Sequence, residues 1–475
     1  MTATATPCTK RPGEIAMSIL IQGGTLLCPE GPLQASLRVE EEKITEIGPS
    51  LPAGDSQVID ASGKLVFPGF IDTHTHFEMN KGLPNETADG WASGTLAALA
   101  GGTTTVLDFA EPERGADMTS ALDSWHRRAE GQASCHYGFH MTIKDWNPAV
   151  RAELADMERA GVTSYKVYLA YDGLMVSDGD ALEEVRAVGE RGGIVGCHCE
   201  NGGLVNAGIA AQLAAGNLSP AAHPLSRPAV VEAEAVNRWL TIGELAGFPV
   251  NIVHLSAARS LEMVRAARAR GQRCYVESCP QYVLLDDSRY CQPGFEGAKF
   301  VLSPPLRKKE DIDALWAGLQ AGEIDTIGTD HCSFHFKGVK ELGKEDFSKI
   351  PNGIPGVEHR PVLMYTYGAA GRISLHQMMK LLSEQPARLF GMYPQKGALS
   401  VGSDADITIL APNTPGKITA AAQYQNVDYT PYEGMEVLCR VDTVLLSGTV
   451  AVENGMVTAP KRGRFVHRGA SKFWR

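Results

Sequence analysis

FPGFIDTHTH, residues 67–76, is an apolar run that ends in two histidines separated by one residue. In an extended strand, residues two apart share a face, so His74 and His76 can present two imidazoles to one point while Thr75 turns away. Working outward, the same pattern of an apolar run meeting a polar end recurs in TTTVLDFA (103–110), HYGFHMTI (136–143), TSYKVYLA (163–170) and GIVGCHCE (193–200). It returns in VNIVHLS (250–256), CYVESCP (274–280) and DTIGTDH (325–331). Amphipathic or Ala-rich stretches such as DALEEVRAVGERG and AVVEAEAVNRWLTIGELAG lie between the runs. Eight strand–helix repeats over roughly 300 residues predict an α/β fold of the closed (β/α)₈ TIM-barrel type. A doubly wound open sheet is the competing architecture, but no Gly-rich phosphate loop follows the first strand.

The flanks are different. ILIQGGTLLCP, ASLRVEEEKITEIG and QVIDASGKLVFPG near the start, with ADITILAP and VDTVLLSGTVAVENGMV near the end, are short β-type runs broken by Gly, Pro and Asn. The two ends are expected to pair into one small β-sandwich, residues 17–67 with 395–460, around a barrel at 68–394. Residues 1–16 then form a flexible leader, with Met17 an alternative start, and 461–475 a tail. The basic tail KRGRFVHRGASKFWR is expected as a solvated end or an arm toward a neighbouring subunit.

Composition sets broad limits. The apolar fraction is 44% and the charged fraction 21%, ordinary for a globular protein. A net charge of −11 argues against nucleic acid, whose binders need a basic face. No run of about 18 apolar residues marks a membrane span or secretory signal, so a cytoplasmic protein is expected. Ten cysteines in 475 residues are too sparse for a disulfide scaffold and fit a reducing compartment.

A lone His-x-His is weak evidence, because strand-end histidines are commonly just polar groups. His198 and His254, each closing an apolar β run, change that balance. Asp330, at the eighth strand's end, adds a carboxylate, and this mixture of imidazole and hard oxygen suits zinc, manganese or iron-like divalent ions. On its own Asp330 could equally be a helix N-cap. Lys166 lies inside an apolar strand, where an ammonium is costly unless paired or chemically altered. Cys197 and Cys199 flank His198, but strand alternation points them to the opposite face, against a thiolate metal site. His331 and Cys332 are expected as supporting or packing groups.

GFIDTHTH, ALAGGTTTVLDFA, SYKVYLAY, HCENG, IVHLS, ESCPQYVLLDDS, LSPPLR, GTDHCSF and KGVKELGKEDFSKIPNG together resemble the hydantoinase and dihydropyrimidinase family of cyclic amidohydrolases. The resemblance implies hydrolytic opening of cyclic amides or imides to N-carbamoyl amino acids, in a homotetramer. It implies two divalent ions, zinc by default and manganese as the alternative, held by His74, His76, Lys166, His198, His254 and Asp330. Lys166 is then carboxylated by CO₂ to a carbamate that bridges the ions; His74, His76 and Asp330 hold one, His198 and His254 the other. Such ions lower the pKa of a water from about 15.7 towards 7. Asp330 becomes the proton shuttle and Tyr171 the oxyanion partner, while Ser303 and Asn352 grip the ring through backbone groups. The segment FEMNKGLPNETADG departs from the family's apolar loop, so a ring-substituent pocket near Met79, Asn80, Tyr168 and Met175 is expected to be more polar. Glu78 stands where dihydroorotases need an arginine. An allantoinase-like hydrolase and a non-enzymatic scaffold of the collapsin response mediator type are the alternatives. Retention of all six ligand positions argues for catalysis.

Overall fold

The computed structural model describes residues 18–369 and 371–474; the expected leader at 1–16, the alternative start at Met17 and the final Arg475 lie outside the described residues. Eight parallel strands follow in chain order: β1 (Phe70–Thr75), β2 (Thr103–Ala110), β3 (His136–Thr142) and β4 (Ser164–Tyr168), then β5 (Ile194–His198), β6 (Val250–Ile252), β7 (Cys274–Ser278) and β8 (Thr326–Ile327). Each pairs with its sequence neighbours. A parallel bridge from Thr75 to His331 brings the first and last strands together. Thr329 reinforces that seam, donating from its N at 3.0 Å and its Oγ1 at 2.8 Å to the Asp72 carboxylate.

The barrel strands are buried on both faces, which is why their sequences are nearly continuous apolar runs rather than alternating ones. The intervening helices start on side-chain caps. Asn147 accepts from Ala149 N and Val150 N at the head of Pro148–Arg159, and Ser177 accepts from Asp180 N before Asp178–Gly189. The helix Ala229–Ala246 ends at Gly247 with φ 78°, a left-handed conformation suited to glycine. Sequence patterning identifies this helix but leaves Gly202–Ala214 unread, because that helix has almost no apolar stripe.

The terminal segments join into one nine-stranded mixed sheet. The junction is an antiparallel pairing between Leu65–Pro68 and Ile407–Lys417, so the start of the chain supplies five strands of the sheet and the end four. Ile21, Leu37, Val66, Ile407, Ile409 and Leu445 pack together on it. No helix among the described residues is long and apolar enough to cross a membrane.

The tail corrects an expectation. Instead of being wholly solvated, it lies across the barrel's own N-terminal mouth. Val466 N donates to Tyr137 O at 2.7 Å, and Phe473 stacks on Tyr275. Arg468 is only 1% exposed, and its guanidinium donates to Ser164 Oγ at 2.7 Å and to Phe139 O. The tail's aromatic and arginine side chains cover barrel-bottom groups that would otherwise face water, which outweighs its basic character.

Candidate active site

At the opposite, C-terminal end of the strands a cavity of about 510 Å³ opens. Its lining contains His74, His76, Lys166, Tyr171, His198, His254, Ser303, Asp330 and Asn352, so residues spread over 279 positions of sequence meet in one space. This is the face where barrel enzymes carry their chemistry.

β1 delivers His74 and, one residue past its end, His76; their Nε2 atoms lie 3.2 and 3.3 Å from Asp330 Oδ1. His198 closes β5, and its Nδ1 is 3.1 Å from Nε2 of His254. One donor atom from each of His74, His254 and Asp330 lies within 4.8 Å of the others, a spacing that can hold a metal ion. His254, Asp330 and Tyr171 have φ of 41°, 53° and 71°. Three non-glycine residues in this costly region around one cavity show local backbone strain concentrated at the site.

The donor chemistry fits a cation. Burial lowers the pKa of His74 and His254 well below the ordinary imidazole value, with the Lys166 charge adding to the effect, and burial also lowers His198. Neutral imidazole is the ligand form. His74 Nε2 is buried without a hydrogen-bond partner and lies beside the Asp330 carboxylate, the position of a nitrogen aimed at a cation. Lys166 is 1% exposed, and its Nζ has no hydrogen bond or ion pair to a described residue and sits 5.1 Å from the ring centres of Phe109 and Tyr168. Burial lowers its pKa, opposed by the charges of Asp330 and Glu277.

Behind these groups stand supports that the sequence did not single out. Glu277 Oε1 lies 2.7 Å from His74 Nδ1, which orients the ring and leaves Nε2 facing the cavity. Glu200, in the HCENG turn, accepts from His198 Nε2 at 2.9 Å and from Arg227 Nε at 3.0 Å. Burial raises the Glu200 carboxyl, but Arg227 and His198 outweigh it and hold the pKa well below the usual range. Lys340 is wholly buried and donates at 2.7 Å to the carbonyls of Val301, Pro351 and Gly353, bracketing the loops that carry Ser303 and Asn352. Glu200 and Lys340 sit inside stretches already conspicuous for their motifs; only the fold reveals what they touch.

Cys197 and Cys199 join the hydrophobic core, and every described cysteine is a free thiol. His331 accepts from Gly356 N at 3.1 Å and lies 3.2 Å from Asp89, a supporting position. Met79, Asn80 and Tyr168 line the cavity as expected for a substituent pocket, whereas Leu174 takes the place expected for Met175. Glu111, Glu113, Lys144 and Asn85 also reach it, a charged wall that no motif signalled.

The amidohydrolase family model matches residues 65–211 and 246–451. The chain is 41% identical to a D-hydantoinase of Ralstonia pickettii over 95% of this chain and 99% of that one. It is 41% identical to a D-hydantoinase of Geobacillus stearothermophilus, over 95% and 97% respectively. The structure of a dihydropyrimidinase from Brevibacillus agri superposes with a TM-score of 0.94 at 40% identity, covering 96% of this chain and 99% of that one. Barrel, terminal sheet and full-length similarity agree: the chain belongs to the amidohydrolase family, in its hydantoinase and dihydropyrimidinase branch.

Proposed function

We propose that this chain hydrolyses one ring C–N bond of a hydantoin or dihydropyrimidine, releasing an N-carbamoyl amino acid. The observation that carries the proposal is the convergence of four imidazoles, the buried Lys166 and the Asp330 carboxylate on a single cavity at the strand ends. His74, His76 and Asp330 form one donor group and His198 with His254 the other, with Lys166 between them as an N6-carboxylysine. Two divalent ions held there, zinc in the first instance and manganese as the alternative, supply an acidified water and polarise the scissile carbonyl.

The protein's own part is acid–base and positional. Asp330 accepts the proton of the attacking water as the C–O bond forms, then returns it to the ring nitrogen as the C–N bond breaks. Tyr171 donates its O–H to the oxygen that becomes negative at the tetrahedral stage. Burial raises the Tyr171 phenol while Arg227 pulls it down; the net shift is upward, so it remains a donor at neutral pH. Backbone groups at Ser303 and Asn352 hold the ring against these residues, and Lys340 fixes both loops.

The test joins elemental analysis of the purified protein to absorbance assays with hydantoin, dihydrouracil and allantoin. Near two ions per chain with ring opening is the expected result. No turnover after loading with divalent ions and bicarbonate would overturn the proposal in favour of a scaffold. The same reading places the chain in the cytoplasm as a homotetramer acting on small cyclic substrates, and light scattering giving a monomer would overturn that state.

A further inference from the structure

The cavity has two unlike walls. Strand order puts the loops after β7 and β8, with Ser303 and Asn352, on one side, and the residues following β2 and β3 across the mouth. Glu111 directly follows β2, Lys144 comes two residues after β3, and their charged ends lie 3.2 Å apart with side chains 20% and 12% exposed. Glu113 lines the same wall, as do Asn80 and Asn85 from the β1 loop. Glu111 shares the cavity lining with Tyr168 and Cys332.

Resting on the hydrolase reading above, we infer that the Glu111–Lys144 pair selects substrates whose ring carbon carries a neutral amide-type substituent, a carboxamide or a ureido group. An alkyl or aryl substituent would cover a partly buried ion pair and offer it nothing in exchange for water. An anionic group would satisfy Lys144 but face Glu111 and Glu113; a cationic one would leave Lys144 without its partner. An amide has both polarities. Its carbonyl accepts from Lys144 Nζ and its N–H donates to Glu111, so each member of the pair keeps a partner, with exposed Glu113 at the rim open to the second N–H.

The experiment compares kcat/KM for hydantoin and for its 5-carbamoylmethyl, 5-isobutyl and 5-carboxymethyl derivatives, in the metal-loaded wild type and in a Glu111→Leu/Lys144→Ala double variant. Removing both charges together leaves neither stranded. The wild type should favour carbamoylmethyl over isobutyl by about tenfold or more, and the double variant should lose or reverse that ratio. A wild type that prefers isobutyl overturns the inference without help from any variant. So does an unchanged ratio in the double variant. If hydantoin is opened and the ratios fail, the hydrolase reading stands and only the selectivity falls; if no ring is opened at all, both fall.

Discussion

β4 meets a buried cation toward each end of the barrel, Arg468 of the tail at the bottom and its own Lys166 at the top, and the two are treated in opposite ways. At the bottom, Ser164 accepts from Arg468, whose guanidinium also reaches the Phe139 carbonyl, while His140 is held between Ser164 Oγ at 2.7 Å and Thr73 O at 3.1 Å. Two residues along the same strand, the Lys166 ammonium faces the top with no hydrogen bond or ion pair to a described residue, near His74 whose Nε2 also lacks a hydrogen-bond partner. The bottom cation is held by two hydrogen bonds where the sheet meets its own tail, and the ammonium at the top has none. Because an unpaired buried charge costs several kcal/mol, the open end is held against the chain's stability by the rest of the fold. Stability belongs to the bottom and chemistry to the top.

Exchanging the two cations should break the molecule in different ways. Lys166→Ala should cost on the order of a thousandfold or more in kcat/KM, beyond the loss of a single oxyanion donor. Short carboxylic acids should restore part of it by filling the vacated space with oxygen donors. Compared with both proteins stripped of metal, its melting temperature should stay level or rise, because an unpaired ammonium has gone. Arg468→Met should do the reverse, destabilising by about 3 kcal/mol through lost hydrogen bonds and an imperfectly filled site. Its activity per folded molecule should be preserved. Calorimetry and active-site titration read both effects; loss of activity in folded Arg468→Met protein would show that the two ends are not separable.

A smaller effect sharpens the same contrast within the top. Glu200 aligns His198 from behind while Arg227 neutralises it. Glu200→Gln should keep the shape but weaken the acceptor, lowering metal affinity and activity by about 10–100-fold. Competition with a chelator measures the first and initial rates the second. A variant with wild-type metal affinity would mean that His198 needs no support.

The top was more legible in sequence than the bottom, for a physical reason. Metal-type donors at strand ends are rare, local and spaced by the strand's period of two, so His74, His76, His198 and His254 stand out against apolar runs. What surrounds them is not local. Glu277 reaches His74 across 203 positions, and Glu111 meets Lys144 across two neighbouring strand ends. The tail's docking was not legible because its basic charge describes a chain in water, whereas Arg468 finds its partners 304 and 329 residues away. The terminal sheet lies between these cases: each strand was visible, and its joining register, Ile407 opposite Pro68, was not.

A carboxyl away from the site asks whether unfavourable burial is confined to the top. Glu358 accepts from Tyr424 N at 2.8 Å and Gln425 N at 3.2 Å, tying the barrel to the segment between two strands of the terminal sheet. Burial raises its pKa to about 7, against the pull of those two N–H groups. The folded state therefore binds a proton more readily than the unfolded chain. The stabilisation from this group is complete below the ordinary glutamate value near 4.5 and is lost as pH rises through about 7. Glu358→Gln keeps a carbonyl oxygen for both donors and removes the titration. Thermal melts at pH 5 and pH 8 should show the wild type losing a few degrees more than the variant over that interval, on the order of 1 kcal/mol. Parallel pH dependence in the two proteins would mean that Glu358 stays ionised and well solvated, leaving the cavity as the place where the fold tolerates an uncompensated charge.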